Sequence, residues 1–179
     1  MSETASAARE RELCYLSAAQ LAAHFRAREL SPVEVTQAVL RRIERLEPSL
    51  NAFVLVDAQA ALDSARASEE RFQRQAPLSP LDGVTASLKD LLLTSGWATL
   101  QGSLTVSAEG PWLEDSPAAA RLREAGAVLL GKTTTTEFGL KGLGDSPLTG
   151  ITRNPWQLEH SPGGSSAGAV AAIAAGLGT

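Results

Sequence analysis

Along the first third of the chain, apolar residues return every third or fourth position, with polar residues between them. That spacing predicts amphipathic helices. "LSAAQLAAHFRAREL" places Leu21 and Phe25 on one face behind Ser17, a residue suited to cap a helix N-terminus. "LSPVEVTQAVLRRIERL" is stronger: Ser31 as cap, Pro32 at the first helical position, Glu34 to close a capping box, and Val35, Val39, Ile43 and Leu46 along one stripe. A third helix is expected from Asp57 to about Arg74, a stretch without Gly or Pro. Those apolar stripes read as packing surfaces, not as sites.

The pattern changes at Gly83. All 15 glycines lie at or after it, so residues 1–82 are expected to form an N-terminal helical region and residues 83–179 the start of an α/β core in the same domain. In "GVTASLKD", Val84, Ala86 and Leu88 alternate with Thr85, Ser87 and Lys89. A strand would therefore turn the two sets to opposite faces and end its polar row on Lys89. "DSPAAARLREAG" predicts a short helix capped by Ser116 with Pro117 at its first position, and "AVLL" after it a four-residue buried strand. Alternation of helices and short apolar runs is the mark of an α/β layer.

Composition narrows the function without choosing it. At 44% apolar and 20% charged residues the chain can bury a core, and a net charge of −4 with mixed signs leaves no basic footprint for nucleic acid. The single cysteine, Cys14, excludes an internal disulfide framework and reads as a plain thiol, and no Cys/His spacing suggests zinc. With no apolar signal core and no run of 18 or more apolar residues, the expectation is a cytoplasmic protein without a membrane span.

Two short patterns carry candidate chemistry. "GAVLLGKT", Gly126 to Thr133, satisfies the phosphate-loop spacing, but its four intervening residues are the predicted strand itself and a helix precedes them, the reverse of a phosphate loop. A nucleotide-binding role is set aside on that ground. "GGSSAG" contains Gly164-x-Ser166-x-Gly168, the nucleophile-elbow spacing, yet a proline-bearing loop precedes it where an apolar strand is required. Only two histidines, His24 and His160, are present, and His160 is too near in sequence to reach round a tight elbow easily. The proton acceptor for those serines has to be another group.

"GVTASLKD", "AGAVLLGKTTTTEFG", "GDSPLTGITRNPW" and "SPGGSSAGAVAAIAAG" resemble, in order, the successive blocks of the amidase signature family, from about Pro77 to the last residue; "ELSPVEVTQAVLRRIERLEPSLNAFV" is similar to that family's leading helices. Thr85 stands where proline is usual, and Thr134 and Thr136 where asparagine and proline are common. The resemblance implies a mixed central sheet with helices on both sides, preceded by N-terminal helices. It implies a Ser-cisSer-Lys triad in which Lys89 is the base and Ser165 the bridging serine, joined to Gly164 by a cis peptide bond, with Gly163, Gly164 and Ser166 supporting the serine loop. The family's nucleophile follows the bridging serine by some two dozen residues, in an Asp-x-Gly-Gly-Ser loop. The expectation is thus the opening portion of an amidase, inactive by itself.

Lysine as base also has a physical case. An ordinary lysine titrates near 10.4, so a neutral amine near pH 7 needs a drop of about three units, roughly 4 kcal/mol. Burial and the positive end of a helix starting near Ser166 both act in that direction, and strand alternation turns Asp90 away. The implied reaction is hydrolysis of a small-molecule amide through an acyl-enzyme, without cofactor or metal; a homo-oligomer is left open. The alternatives are the glutaminase subunit of a tRNA-dependent amidotransferase, which shares these blocks, and a non-catalytic fragment.

Overall fold

The computed structural model describes residues 3–179. Three helices open the chain: α1 (Glu3–Cys14), α2 (Ala18–Ala27) and α3 (Pro32–Leu50). In α2 the Ser17 hydroxyl accepts from the Gln20 backbone N–H while the Gln20 side chain accepts from the Ser17 backbone N–H, a complete capping box. In α3 Ser31 caps Val33 and Glu34, and Pro32 takes the first position. The box expected of Glu34 does not form. Its carboxylate accepts from Arg9 of α1, and the Ser31 hydroxyl donates to Glu69 instead. Val35, Val39 and Ile43 are buried as their spacing requires, with Leu46 packed at the margin.

The N-terminal region is not wholly helical. After Asn51, in the left-handed conformation that ends α3, Phe53–Val56 forms a strand, β1. The run is only four residues long, too short for its periodicity to show, and α4 (Ala58–Gln73) follows at once behind Asp57, whose carboxylate caps Ala60. The stretch read as leading helices thus contributes a strand to the central sheet.

That sheet has the order β1-β3-β2, with β2 at Thr85–Lys89 and β3 at Val128–Thr133; β3 runs parallel to β2 and antiparallel to β1. All six residues of β3 are buried; the strand begins one residue after the start of the expected "AVLL" and runs three residues past its end. Between β2 and β3 comes α5 (Pro117–Glu124), capped by Ser116. A two-stranded ribbon, β4 (Asp145–Ser146) with β5 (Gly150–Ile151), precedes α6 (Ala167–Ala174), which packs on β2 and β3.

Helices cover both faces of the sheet. Leu21, Phe25, Val39, Val128, Leu130 and Ala171 belong to the larger core, on the side of α1 to α4 and α6. Leu88, Trp97, Ala119 and Leu129 form the smaller core under α5. Val84 departs from its expected face: it sits before the strand begins and packs in the larger core, opposite Ala86 and Leu88. β3 also carries a bulge. Ala86 pairs with Leu129 and Leu88 with Lys132, so one residue is added on β3, next to Gly131. Gly131 has φ of 152°, and a Cβ there would collide with the Leu55 carbonyl oxygen, so no other residue fits.

Candidate active site

Lys89 is the last residue of β2, and Ser165 lies in the turn that feeds α6. Because α6 packs on β2 and β3, the two meet at the carboxyl end of the parallel strands, where open α/β sheets carry their sites. Lys89 Nζ lies 2.7 Å from Ser165 Oγ. Burial pulls the lysine below its ordinary value of 10.5, and no neighbouring charge contributes to that shift. At that separation an ammonium donates to the hydroxyl, and a neutral amine accepts the hydroxyl proton. The pair can therefore pass a proton in either direction.

Asp90, the next residue, is kept out of this exchange. Its carboxylate accepts from the backbone N–H groups of Leu100 and Gly102 and pairs with Lys132. The histidines are absent from the site as well: His24 is bonded to Glu29, and His160 is exposed.

The serine turn is held from several sides. Gly164 joins Ser165 through a cis peptide bond. A Cβ on Gly164 would fall 2.7 Å from the Leu143 carbonyl oxygen and 2.9 Å from that of Lys141, so glycine is required for space. Gly163 takes a left-handed φ of 88°, and its N–H donates to the Ser161 hydroxyl, which also receives the Gly144 N–H. Ser166 precedes the first residue of α6 and makes no side-chain cap. Gly168, inside α6, lets the helix touch the sheet: a Cβ would collide with the Ala52 carbonyl oxygen. Small residues at 167, 171, 172 and 175 are buried and let α6 pack closely, whereas Ala169 and Ala174 are only half-buried.

The "TTTT" run is the part of the site that its composition concealed. The Ser165 carbonyl accepts from Thr135 Oγ1 at 3.1 Å and from the Thr136 N–H at 3.3 Å. Thr134 bonds Thr152 through its hydroxyl at 2.6 Å, and its carbonyl receives the Gly168 N–H. A run of four hydroxyl-bearing residues directly after a buried strand was the available signal, since side chains able to bond backbone groups are suited to tying down a loop. A concavity of about 1080 Å³ between α3 and α4 includes neither Lys89 nor Ser165. Among the described residues no cluster suits a metal ion, and no helix is long and apolar enough to cross a membrane.

Comparison with known proteins places this α/β chain in a family. The amidase family model matches residues 34–179, and the chain belongs to that family. It is 43% identical over 166 residues to a glutamyl-tRNA(Gln) amidotransferase subunit from Acidothermus cellulolyticus, covering 92% of this chain and 32% of that protein. Among solved structures it is similar to the peptide amidase of Stenotrophomonas maltophilia, at 37% identity and a TM-score of 0.83 over 90% of this chain and 34% of the other. A bacterial aryl acylamidase of the amidase signature family gives 30% identity and 0.86 over 92% and 34%. The chain spans about a third of the length of the relatives it matches.

Proposed function

We propose that this protein takes part in amide hydrolysis through a serine-linked proton relay in which Lys89 is the base and Ser165 the bridging group. The observation that carries the reading is the 2.7 Å contact between Lys89 Nζ and Ser165 Oγ, made by a lysine whose burial favours the neutral amine. A neutral Lys89 takes the Ser165 proton; Ser165 then takes the proton of a second serine as that serine attacks the amide carbonyl. The proton returns by the same route to the departing amine or ammonia, and water repeats the sequence on the acyl-enzyme. The chain contains no Asp-x-Gly-Gly-Ser stretch, so the attacking serine is assigned to none of its residues. In the full-length protein, Lys89→Ala is expected to abolish hydrolysis of primary amides, and Lys89→Arg is expected not to restore it. Full turnover in Lys89→Arg would overturn this reading.

A second reading is favoured by a specific observation. The curated relatives at 40–44% identity are named as subunits of glutamyl-tRNA(Gln) amidotransferases, whereas the amidase structures match at 26–37%. Glutamine is then the amide, and the ammonia passes to a reaction on a partner protein of the same complex. Glutaminase activity that rises on adding such partners selects it; unaided turnover of simple amides selects the free amidase.

A further inference from the structure

Lys132, in the "GKT" of the phosphate-loop pattern, has no part in the relay described above, yet it is fully buried. Its exposure is 0% and that of Asp90 is 1%. The Lys132 ammonium lies 3.1 Å from Asp90 Oδ1 and donates to the carbonyls of Leu92 at 3.1 Å and Ala98 at 3.2 Å and to the Thr99 hydroxyl. Three N–H bonds thus face four oxygens, all on the segment that runs from the end of β2 through residue 99. The bulge at Gly131 makes this possible. Without the extra residue, strict alternation would put Lys132 on the face of Leu130; with it, Lys132 pairs with Leu88 and shares the face of the smaller core.

From Lys132 two paths lead to the relay. Along β2, Asp90 is bonded to Lys89, and its own N–H donates to the Thr133 carbonyl at 3.0 Å. Through the loop, Asp90 holds the N–H groups of Leu100 and Gly102, and the Gln101 carbonyl between them receives the Phe138 N–H at 2.8 Å. Gly102 approaches the next segment so closely that a Cβ would lie 2.8 Å from the Thr135 carbonyl oxygen. Thr135 and Thr136 in turn hold the Ser165 carbonyl. One buried cation therefore ties down the strand that bears Lys89 and the loop that braces Ser165.

We infer that Lys132 is a positioning residue for the Lys89–Ser165 pair: it draws the Asp90 carboxylate to the opposite face of the sheet, so that Lys89 faces a serine without a competing anion. The inference rests on the proposed role of Lys89 as base. The other elements around Lys89 bring little charge. Residues 161–174, the serine turn and α6, carry no ionisable side chain, and His160 before them is exposed. Of the 133–141 segment, Glu137 receives the Ser103 hydroxyl and Lys141 pairs with Asp145. Asp90 is the carboxylate one residue away, and Lys132 is the cation that engages it.

The test measures Lys89 titration directly, by the pH dependence of its acetylation in a competitive labelling experiment on the full-length protein, with kcat/KM profiles alongside. Lys132→Met is expected to raise the Lys89 midpoint by ~1 unit and to carry the acid limb of kcat/KM with it, because an uncompensated carboxylate favours the ammonium. Lys132→Met combined with Asp90→Asn removes both charges and is expected to return the midpoint to the wild-type position. A midpoint unmoved in Lys132→Met, or moved equally in the double variant, overturns the inference and leaves the pair as packing alone. Should Lys132→Met fail to fold, Asp90→Asn is read instead: the unpaired Lys132 cation should lower the midpoint, and no change there overturns the inference equally. Labelling needs no turnover. An active Lys89→Ala would therefore end the proposed base role while leaving the Lys132 result standing.

Discussion

Two lysines stand one register position apart on adjacent parallel strands, on opposite faces of the sheet, and they have opposite surroundings. Lys132, on β3, meets a carboxylate, two carbonyls and a hydroxyl in a fully buried pocket. Lys89, at the end of β2, is half-buried and meets one serine hydroxyl. Burial lowers the affinity of both for a proton, but at Lys132 the attraction of Asp90 opposes that effect, whereas at Lys89 nothing does. Burial disfavours the charge of both lysines; what separates them is that an anion has been supplied to one and not to the other.

The largest expected effect breaks the comparison on the Lys89 side. In the full-length protein Lys89→Ala should lower kcat by about a thousandfold or more, in the range that loss of a general base produces. Lys89→Arg should fare no better, since a guanidinium keeps its proton throughout the working range. Steady-state amide hydrolysis by the two variants measures this. If arginine sustains turnover, Lys89 is a second cation of the Lys132 kind.

The residues of this contrast were unequally legible in the sequence. Lys89 could be located because a regular alternation ended on it and because its block resembles a family with a lysine base. The caps at Ser17, Ser31, Asp57 and Ser116 were legible because capping is a local matter of one side chain and the next turn. Lys132 was not, because its face depends on a bulge, and an extra residue in one strand shows only against its partner. β1 was hidden for a related reason: four residues between two helices become a strand only when β3 is there to pair with them. Glu34 shows the limit of local rules even within a helix, since Arg9 on another helix claimed the carboxylate that should have closed the box.

On the Lys132 side the expected effect is on stability. Lys132→Met leaves the Asp90 charge buried without its partner, a loss of about 3–5 kcal/mol, whereas Lys89→Met strands no charge and should be close to neutral. Thermal denaturation of both variants, followed by circular dichroism, should show a drop of roughly 10 °C for the first. Equal melting temperatures would mean that Asp90 is satisfied by Leu100 and Gly102 alone.

A smaller effect sharpens the picture of the Ser165 turn. Thr135→Val keeps the shape of the side chain and removes one of the two donors to the Ser165 carbonyl, costing about 1 kcal/mol. If that bond also fixes where Ser165 Oγ stands, kcat should fall by about tenfold while KM holds. A rise in KM with kcat unchanged would instead place Thr135 in substrate binding.

The smallest expected effect is the pH dependence of stability that Lys89 itself contributes. Its folded-state affinity for a proton lies below the ordinary 10.5 because burial penalises the ammonium. Between the folded value and 10.5 the unfolded chain therefore binds more protons than the folded one, and stability rises with pH across that window. Below the window the folded protein bears the full cost of a desolvated cation; above it the cost is gone. Lys89→Met lacks the charge at every pH, so its stability relative to the wild type should be greatest on the acid side of the window and should decline steadily as the pH approaches 10.5. Urea unfolding of the two proteins at neutral pH and at successively higher values measures that difference, and methionine's added apolar surface shifts it by a constant without changing its slope. A flat difference would mean that Lys89 titrates as an exposed lysine does, and the 2.7 Å contact with Ser165 would then be a hydrogen bond from a permanent ammonium, not a path for a proton.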